Sequence, residues 1–572
     1  MTTKIVKRLP YGTSNFEKLI SENYAYVDKT QFIEQLENEA NPYQFFIRPR
    51  KFGKSLLLSM LSHYYDINRA GKFESLFGDL YIGKHPTPHK NGYGIIEFNF
   101  SGLNTYSEED FKASFSRNVQ DAIIRFISRY RNLFPQAEEL IQKIDQEGWG
   151  IDALRIAYNA ARAAGIKIFV LIDEYDHFAN DLIAMGNQMG DDVYRRMVRA
   201  NGLVRDFYET LKIGTADVLD RIFITGISPI MLDDLTSGFN MAAILTLDLA
   251  YNEMMGFTRK EVDALMVETG VNPDHINVDM ELYYNGYLFH KEGENRVYNP
   301  SMILFFFNQI LKEGKAPENI IDDNLKTDYG RLQRLFLNDE NREKLLEITK
   351  ENSIASEILR KFSIDNMEND KYFISLLFYM GLLTIDKFEA GRTYLKIPNY
   401  SIQTVYWEYI EELTRDLNKE IRFDSSAQKT SVWELAYKGN PHPFIEFISQ
   451  NIFSRLSNRD LIRFDEKYIK IMLLNGLFQS NYYIPTTERE VENGYIDIYL
   501  QRNPSQPDVK YEWVWELKYL KKADRRELHA KRKEARAALE KYRESRQFGE
   551  RPGLKYAALI FIGKDRYEIM EL

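Results

Sequence analysis

The sequence predicts an α/β protein: a parallel sheet flanked by helices, a helical and winged-helix-like middle region, and a second α/β domain at the C-terminal end. Three observations carry this. Continuous apolar runs, IKIFVLI (166–172) and DRIFITG (220–226), alternate with helical patterns, as strands buried on both faces of a parallel sheet do. Gly53-Lys54-Ser55 stands between a short aromatic strand and an apolar helix. Near the other end, charged side chains sit on two otherwise apolar strands, YIDIYL (495–500) and YEWVWELKYL (511–520).

Taken in order, residues 43–61 read as strand, loop and a helix opening at Lys54. GIIEFNF (94–100) is the next strand, and 110–164 carry two or three helices punctuated by Gly148, Gly150 and Gly165. Past about residue 250 the texture turns helical. Residues 370–399 give a helix, a strand, the turn KFEAGR and a second strand, which is how a winged-helix module ends; an α+β connector reads the same way. After about 420 helices return, followed by the two charged strands, a long charged helix (521–546) and a closing strand (555–563). The expected domains are 1–250, 251–424 and 425–572.

Composition narrows the chemistry. The 572 residues carry 84 acidic and 75 basic side chains, a net −9, which excludes a uniformly basic nucleic-acid coat but leaves room for a local basic groove. There is no cysteine, so thiolate metal sites, disulfides and cysteine nucleophiles are excluded. Residues 1–10 hold charges and no apolar core, and the longest apolar runs are too short to span a bilayer. A cytoplasmic protein away from membranes is expected.

Triphosphate binding needs backbone N–H groups and a lysine around the phosphates, with a hydroxyl for Mg²⁺. The segment Arg48-Pro49-Arg50-Lys51-Phe52-Gly53-Lys54-Ser55 ends as such a P-loop should, but Arg48 stands where the first glycine is usual. About 120 residues downstream a buried strand ends in Asp173-Glu174. Asp173 and Ser55 would serve Mg²⁺, and Glu174 would polarise the attacking water. Thr225, ending another strand, is a candidate γ-phosphate sensor. Arg48, Arg50 and Lys51 would stabilise phosphate charge, contact a neighbouring subunit or be solvated; the sequence leaves these open.

Phosphodiester cleavage needs carboxylates converging on Mg²⁺. Strand period two puts Glu516 and Lys518 on one face with Leu517 turned away, and Asp497 lies on the preceding strand. A salt-bridged structural trio is the alternative. From Lys521 to Arg551, twelve Lys and Arg stand against six Asp and Glu, a local +6 that suits a phosphate backbone or a solvated helix with i,i+4 pairs.

The segments FFIRPRKFGKSLLLSML, IFVLIDEYDHFAND and RIFITGISPIML, with YGTSNFEKLISENYAYVDKT (11–30), YYNGYLF (283–289) and VYNPSMIL (297–304), resemble the bacterial AAA-ATPase-like family, whose loop also carries Arg-Pro-Arg in place of the first glycine. The tail resembles the PD-(D/E)XK nuclease superfamily, with Asp497 as its Asp and Glu516-Leu517-Lys518 as its (D/E)-x-K. Together these resemblances imply a P-loop ATPase core, a restriction-endonuclease-like tail, ATP and Mg²⁺ as cofactors, and nucleic acid, DNA before RNA, as partner; a homo-oligomer is compatible with them. Superfamily members often add a glutamate on a preceding helix: Glu466 matches best and Glu488 is second. The glutamine that many members carry after Glu-x-Lys has no equivalent near Leu539-Glu540-Lys541. The rival readings are a nucleotide-dependent switch or scaffold with a non-cleaving, nucleic-acid-binding tail, and a winged-helix transcriptional regulator.

Overall fold

In the computed structural model, the described residues are all but 1–5, 147–149, 186–187, 200–201, 236–240, 277, 318–320, 323–338, 352, 362–369, 418–425, 456–464, 479, 493, 547, 549–550 and 565. Gly148, expected as helix punctuation, lies outside them. The chain forms two compact units, one holding Met1–Ile276, Met280–Lys344 and Ser353–Tyr400, the other Asn277–Asp279, Leu345–Asn352 and Ser401–Leu572.

The first unit is organised by a five-stranded sheet: β1 (Tyr43–Ile47), β2 (Tyr93–Asn99), β3 (Lys167–Asp173), β4 (Leu219–Gly226) and β5 (Ala243–Ile244), in the order β2-β3-β4-β1-β5. Every pairing is parallel. Parallel neighbours need helical crossovers, which bury both faces and explain the unbroken apolar runs of β3 and β4. One crossover is the helix Lys54–Tyr65; another contains the three helices Glu108–Arg129, Ala137–Gln146 and Gly150–Ala164. The first of these begins at Ser107, whose side chain caps Asp110 N, and has Glu108, Glu109 and Asp110 in its first turn, where the helix dipole favours them. Its buried Phe111, Phe115, Val119, Ile123 and Phe126 recur every three or four residues, so one stripe faces the sheet.

The expected helix and hairpin of the middle region are present as helix Asp370–Tyr379 followed by two strands. With β6 (Ile354–Ala355), β7 (Thr384–Glu389) and β8 (Arg392–Lys396) form a three-stranded antiparallel sheet in the order β6-β8-β7. The hairpin turn is tighter than expected, centred on Ala390 and Gly391, both at positive φ.

The second unit carries β9 (Tyr483–Val491), β10 (Gly494–Arg502), β11 (Glu512–Leu520), β12 (Leu554–Ile562) and β13 (Arg566–Glu571), ordered β13-β12-β11-β10-β9. Only β11 and β12 run parallel, across the helix Leu528–Glu544. Ala535, Leu539 and Tyr542 of that helix share a core with Ile496, Val514 and Ala558, on the sheet face that also takes Glu516 and Lys518. Three expectations need correcting here. The strand at 555–563 does not close the chain, because β13 follows. β9 was not anticipated, because its polar 486–490 stretch hides the alternation. The long charged helix is broken: Lys522–Glu527 is a 3-10 turn with Asp524 at non-helical angles, and the α-helix starts at Leu528. Among the described residues no helix is long and apolar enough to cross a membrane.

Candidate functional site

In an open parallel sheet, ligands are met at the carboxyl ends of the strands. Here the ends of β1, β3 and β4 bring together the 48–55 loop, Asp173-Glu174 and Thr225-Gly226. The loop turns through two left-handed residues, Lys51 (φ 65°) and Gly53 (φ 94°), before the helix opens at Lys54. Nothing lies within 4 Å of a Cβ built on Gly53, so its requirement is backbone conformation and not space.

Lys54 folds over its own loop, its Nζ donating to the carbonyls of Arg48 at 3.0 Å and Pro49 at 2.9 Å. Burial pushes its pKa down to about 8, against the pull of Asp173, Glu174 and Asp176. Ser55 Oγ donates to Asp173 Oδ2 at 2.6 Å, joining the two expected halves of the site. Asp173 is raised above its ordinary value, chiefly by desolvation.

Arg48 is placed differently from Arg50 and Lys51. It is 1% exposed and lies between the Phe46 and Phe289 rings, 4.1 and 4.0 Å from their centroids. Its guanidinium donates to Thr246 O, Tyr251 O and Ile47 O at 2.8, 2.8 and 3.0 Å. The side chain at the missing-glycine position therefore ties the loop to the interior, while Arg50 and Lys51 line the adjoining cavity. Pro49 and Phe52 add apolar anchors: Phe52 meets Tyr287 and Phe289 edge to face, and Pro49 sits against Gly381. Thr225 is fully buried and donates to Phe46 O at 2.7 Å, so its hydroxyl is spent on the β1–β4 junction.

The cavity over the loop measures about 630 Å³, within the usual range for small-molecule sites. Its lining includes the apolar Tyr26, Met254, Phe257 and Leu265 together with the 50–55 loop, Glu174 and His177.

Two residues at this end were not singled out from the sequence. Asp176 is fully buried and accepts from Ile227 N, Ser228 N and Ser228 Oγ at 3.1, 2.7 and 2.8 Å, clamping the end of β3 to that of β4. His177 lies 3.1 Å from Glu174 through Nδ1 and 3.4 Å from Asp181 through Nε2. Glu174 itself has φ 52°, an uncommon conformation for a side-chain-bearing residue that turns it away from the strand direction. The hydrogen bond to Glu174, aided by Asp181, raises His177 above its ordinary 6.5, and the same bond lowers Glu174. A histidine raised on folding contributes stabilisation that is complete below its unfolded pKa and lost as pH rises through its folded one. The Glu174–His177 clasp is thus closed at acidic pH and loosens with rising pH. ATP turnover is expected to climb through that interval, and His177→Ala is expected to flatten the climb; a profile unchanged by the substitution would contradict this.

In the second unit, helix Glu466–Phe478 and strands β10 and β11 bring the expected carboxylates together. The β10–β11 ladder ends at Ile498↔Trp515, just short of Asp497 and Glu516. There Asp497 Oδ2 replaces the ladder, accepting from Leu517 N at 2.8 Å. Glu516, 5% exposed, takes Lys518 Nζ at 2.6 Å on Oε1, and the Tyr542 hydroxyl lies 2.8 Å from Oε2. Glu466 Oε2 accepts from Tyr519 N at 3.1 Å. Glu488 falls on β9, with its side chain outside those described. Burial raises both Glu516 and Glu466, and the Asp497 charge raises each further, so the carboxylates repel one another across the site. Lys518 is raised by Glu516, Glu466 and Asp497 against the opposing effect of burial.

This donor set of hard oxygens fits a Mg²⁺-type ion, whose charge would relieve that repulsion. Among the described residues, however, no three His, Asp or Glu side chains are already grouped to hold one. The oxygens are instead engaged by lysines, backbone N–H groups and Tyr542. The sequence reading missed two of these partners: Lys470, whose Nζ is 3.5 Å from Asp497 Oδ1, and Tyr542, on the helix where a glutamine was sought. The spacing of Lys470, four residues after Glu466 on one helix, was a readable signal.

A Gly-Lys-Ser loop bonded to a strand-end aspartate on an all-parallel β2-β3-β4-β1-β5 sheet defines a P-loop ATPase-like domain, and the second sheet with its Asp and Glu-x-Lys defines a nuclease-superfamily domain. The comparisons agree: residues 10–236 match the family model described as a predicted AAA-ATPase, and residues 464–571 match that of the PD-(D/E)XK nuclease superfamily. An uncharacterized protein encoded in the vnfD 5′ region of Azotobacter chroococcum mcd 1 is 28% identical over 315 residues, covering 53% of this chain and 52% of its own. The chain thus spans about half the length of that curated relative. Among solved structures, the Walker-type ATPase of Pyrococcus abyssi is 13% identical, with 66% of this chain and 94% of that one covered and a TM-score of 0.39. The Aeropyrum pernix ORC2 protein is 12% identical, covering 69% and 96%, with a TM-score of 0.33.

Proposed function

We propose that this chain is a cytoplasmic ATP-binding and ATP-hydrolysing protein coupled to a Mg²⁺-dependent nuclease domain that cuts nucleic acid, DNA before RNA. The division of labour follows three segments: 1–250 for nucleotide, 251–424 as helical and winged region, and 425–572 for cleavage. The observation that carries the reading is the set of mutually repelling carboxylates, Glu516 buried and Asp497 and Glu466 half-buried, with Lys518 among them. Buried like charges are costly and are retained where a cation or a reaction uses them. In this reading Asp497, Glu516 and Glu466 hold the divalent ion, which supplies Lewis-acid stabilisation of the phosphate when bound. Lys518 orients the attacking water, and Tyr542 fixes the Glu516 carboxylate. At the other site Lys54, Arg50 and the loop amides bind the phosphates, Ser55 and Asp173 serve the ion, and Glu174 takes the proton of the water. Cleavage of plasmid and single-stranded DNA with Mg²⁺ or Mn²⁺, with and without ATP, tests it; equal cleavage by wild type and Asp497→Ala would end the nuclease half.

Lys54→Ala is expected to weaken ATP binding at least about tenfold, read by titration with a fluorescent ATP analogue. Because burial holds Lys54 down at about 8, its charge is lost as pH rises through that value, and wild-type affinity falls there too. An affinity independent of pH between neutral and alkaline conditions would refute this role.

The switch or scaffold reading draws on a specific observation as well: both Glu174 and Lys54 are engaged by the protein itself, Glu174 by His177 and Lys54 by its own loop. Steady phosphate release that Lys54→Ala abolishes would count against it.

A further inference from the structure

The excess of base that follows the Glu-x-Lys strand sorts into two parts by what each cation touches. On the α-helix Leu528–Glu544, Lys531 pairs with Glu534 at 2.8 Å, Arg532 with Glu568 at 2.7 Å and Arg536 with Glu540 at 3.3 Å, as on a solvated helix. Glu534 also stands 3.6 Å from Lys518. Of that helix's cations, only Lys533 and Lys541 have no ion pair or side-chain hydrogen bond among the described residues.

The turn before the helix is different. Lys521, Arg525 and Arg526 are exposed, and among the described residues none of them has an ion pair or side-chain hydrogen bond, although Asp524 and Glu527 share the turn. Burial, Asp465 and Asp524 raise the Tyr519 hydroxyl, so both carboxylates act at this strand end without pairing to the three cations. The turn is also held in place. Leu520 before it and Leu528 after it pack with Ile560 and Ile562, Gly563 N donates to Leu520 O at 2.8 Å, and Asp524 N donates to Lys521 O at 2.9 Å. It leaves β11 directly beyond the carboxylates, since Glu466 accepts from the backbone of Tyr519. At about 3.3 Å per residue, the Lys521 backbone lies within about 10 Å of that of Lys518, the rise of about three phosphates along one DNA strand.

We infer that the 521–526 turn, and not the helix that follows it, grips the phosphate backbone of duplex DNA beside the nuclease centre, through Lys521, Arg525 and Arg526. This names the surface that nucleic acid uses in the nuclease reading above and rests on that reading for its partner. Cations without a protein partner give up no ion pair when they meet a phosphate, whereas Lys531, Arg532 and Arg536 must first leave their carboxylates.

The test measures binding of a fluorescein-labelled DNA duplex to the full chain by anisotropy, with EDTA and no nucleotide so that nothing is cut, from about 50 to 200 mM salt. Each phosphate contact contributes about 0.9 to the slope of log affinity against log salt. The triple variant Lys521→Gln/Arg525→Gln/Arg526→Gln is expected to flatten that slope by about 2–3 and to bind at least about tenfold more weakly at about 100 mM salt. Lys533→Gln/Lys541→Gln is expected to stay within about 0.5 of the wild-type slope. Lys521→Arg/Arg525→Lys/Arg526→Lys keeps the charges and is expected to keep the slope, which separates charge from folding. A triple Gln variant with the wild-type slope, a helix variant that flattens it as much per charge removed, or a wild type without affinity for duplex would each overturn the inference. Cleavage with Mg²⁺ is scored separately. A wild type that binds through the turn but cuts nothing would sink the nuclease reading and leave the turn standing; a triple Gln variant that binds and cuts as wild type does would sink the turn alone.

Discussion

Replacing Arg48 by alanine is expected to destabilise the N-terminal unit by about 3–5 kcal/mol, with a matching drop in the denaturant midpoint. The size follows from what is left behind. The carbonyls of Ile47, Thr246 and Tyr251 lose the guanidinium donor, Tyr251 O keeping Met254 N at 3.3 Å, and each buried acceptor left without a partner costs about 1–3 kcal/mol. The rings of Phe46 and Phe289 lose the cation between them. Lysine is no remedy, because a single ammonium cannot fork to the three carbonyls as the planar guanidinium does. Arg50→Ala is the control: Arg50 lines the cavity, and its loss is expected to change stability by less than about 0.5 kcal/mol while lowering ATP affinity. An Arg48→Ala protein of wild-type stability that fails only in ATP turnover would reverse the assignment and make Arg48 a phosphate ligand.

Asp497→Asn is expected to reduce cleavage by about 1,000-fold while leaving ATP turnover within about twofold of wild type. The amide keeps the shape and can still accept from Leu517 N, so the strand end survives. What disappears is the charge that draws a cation and that raises Glu516 and Glu466 by repulsion. Both glutamates are therefore expected to titrate nearer the ordinary carboxylate range in the variant, a shift visible by carbon-detected magnetic resonance of labelled glutamate. If their titration stays where it was, Asp497 is not the group they repel, and the three do not form one centre.

Much of the first site could be read in the chain because it is local in sequence. Gly53-Lys54-Ser55 sits at one strand-helix junction and Asp173-Glu174 at the end of one strand, and the parallel pairing of β3 with both neighbours follows from its unbroken apolar run. Asp497 and Glu516-Leu517-Lys518 were legible for the same reason: period two assigns faces before any contact is known. Arg48 was not, since a loop arginine beside a lysine and a second arginine looks like one of three equal charges; only the closing of Phe46, Phe289 and the 246–251 backbone around it separates it from Arg50. Thr225 shows the same limit, for its strand-end position was read correctly, but the Phe46 carbonyl that takes its hydroxyl belongs to a different strand.

Hydrophobic period and motif spacing are properties of neighbouring residues, so the α/β class and the order of most strands and helices could be read along the chain, as could the residues proposed here for phosphate and metal chemistry. Tertiary structure alone decided which charges meet. Lys470 faces Asp497, Tyr542 reaches Glu516, His177 clasps Glu174 and Arg48 turns inward because helix faces, strand register and ring packing bring distant segments within a few ångströms. Charge interactions fall off with distance and depend on burial, and neither quantity is written in the order of the residues.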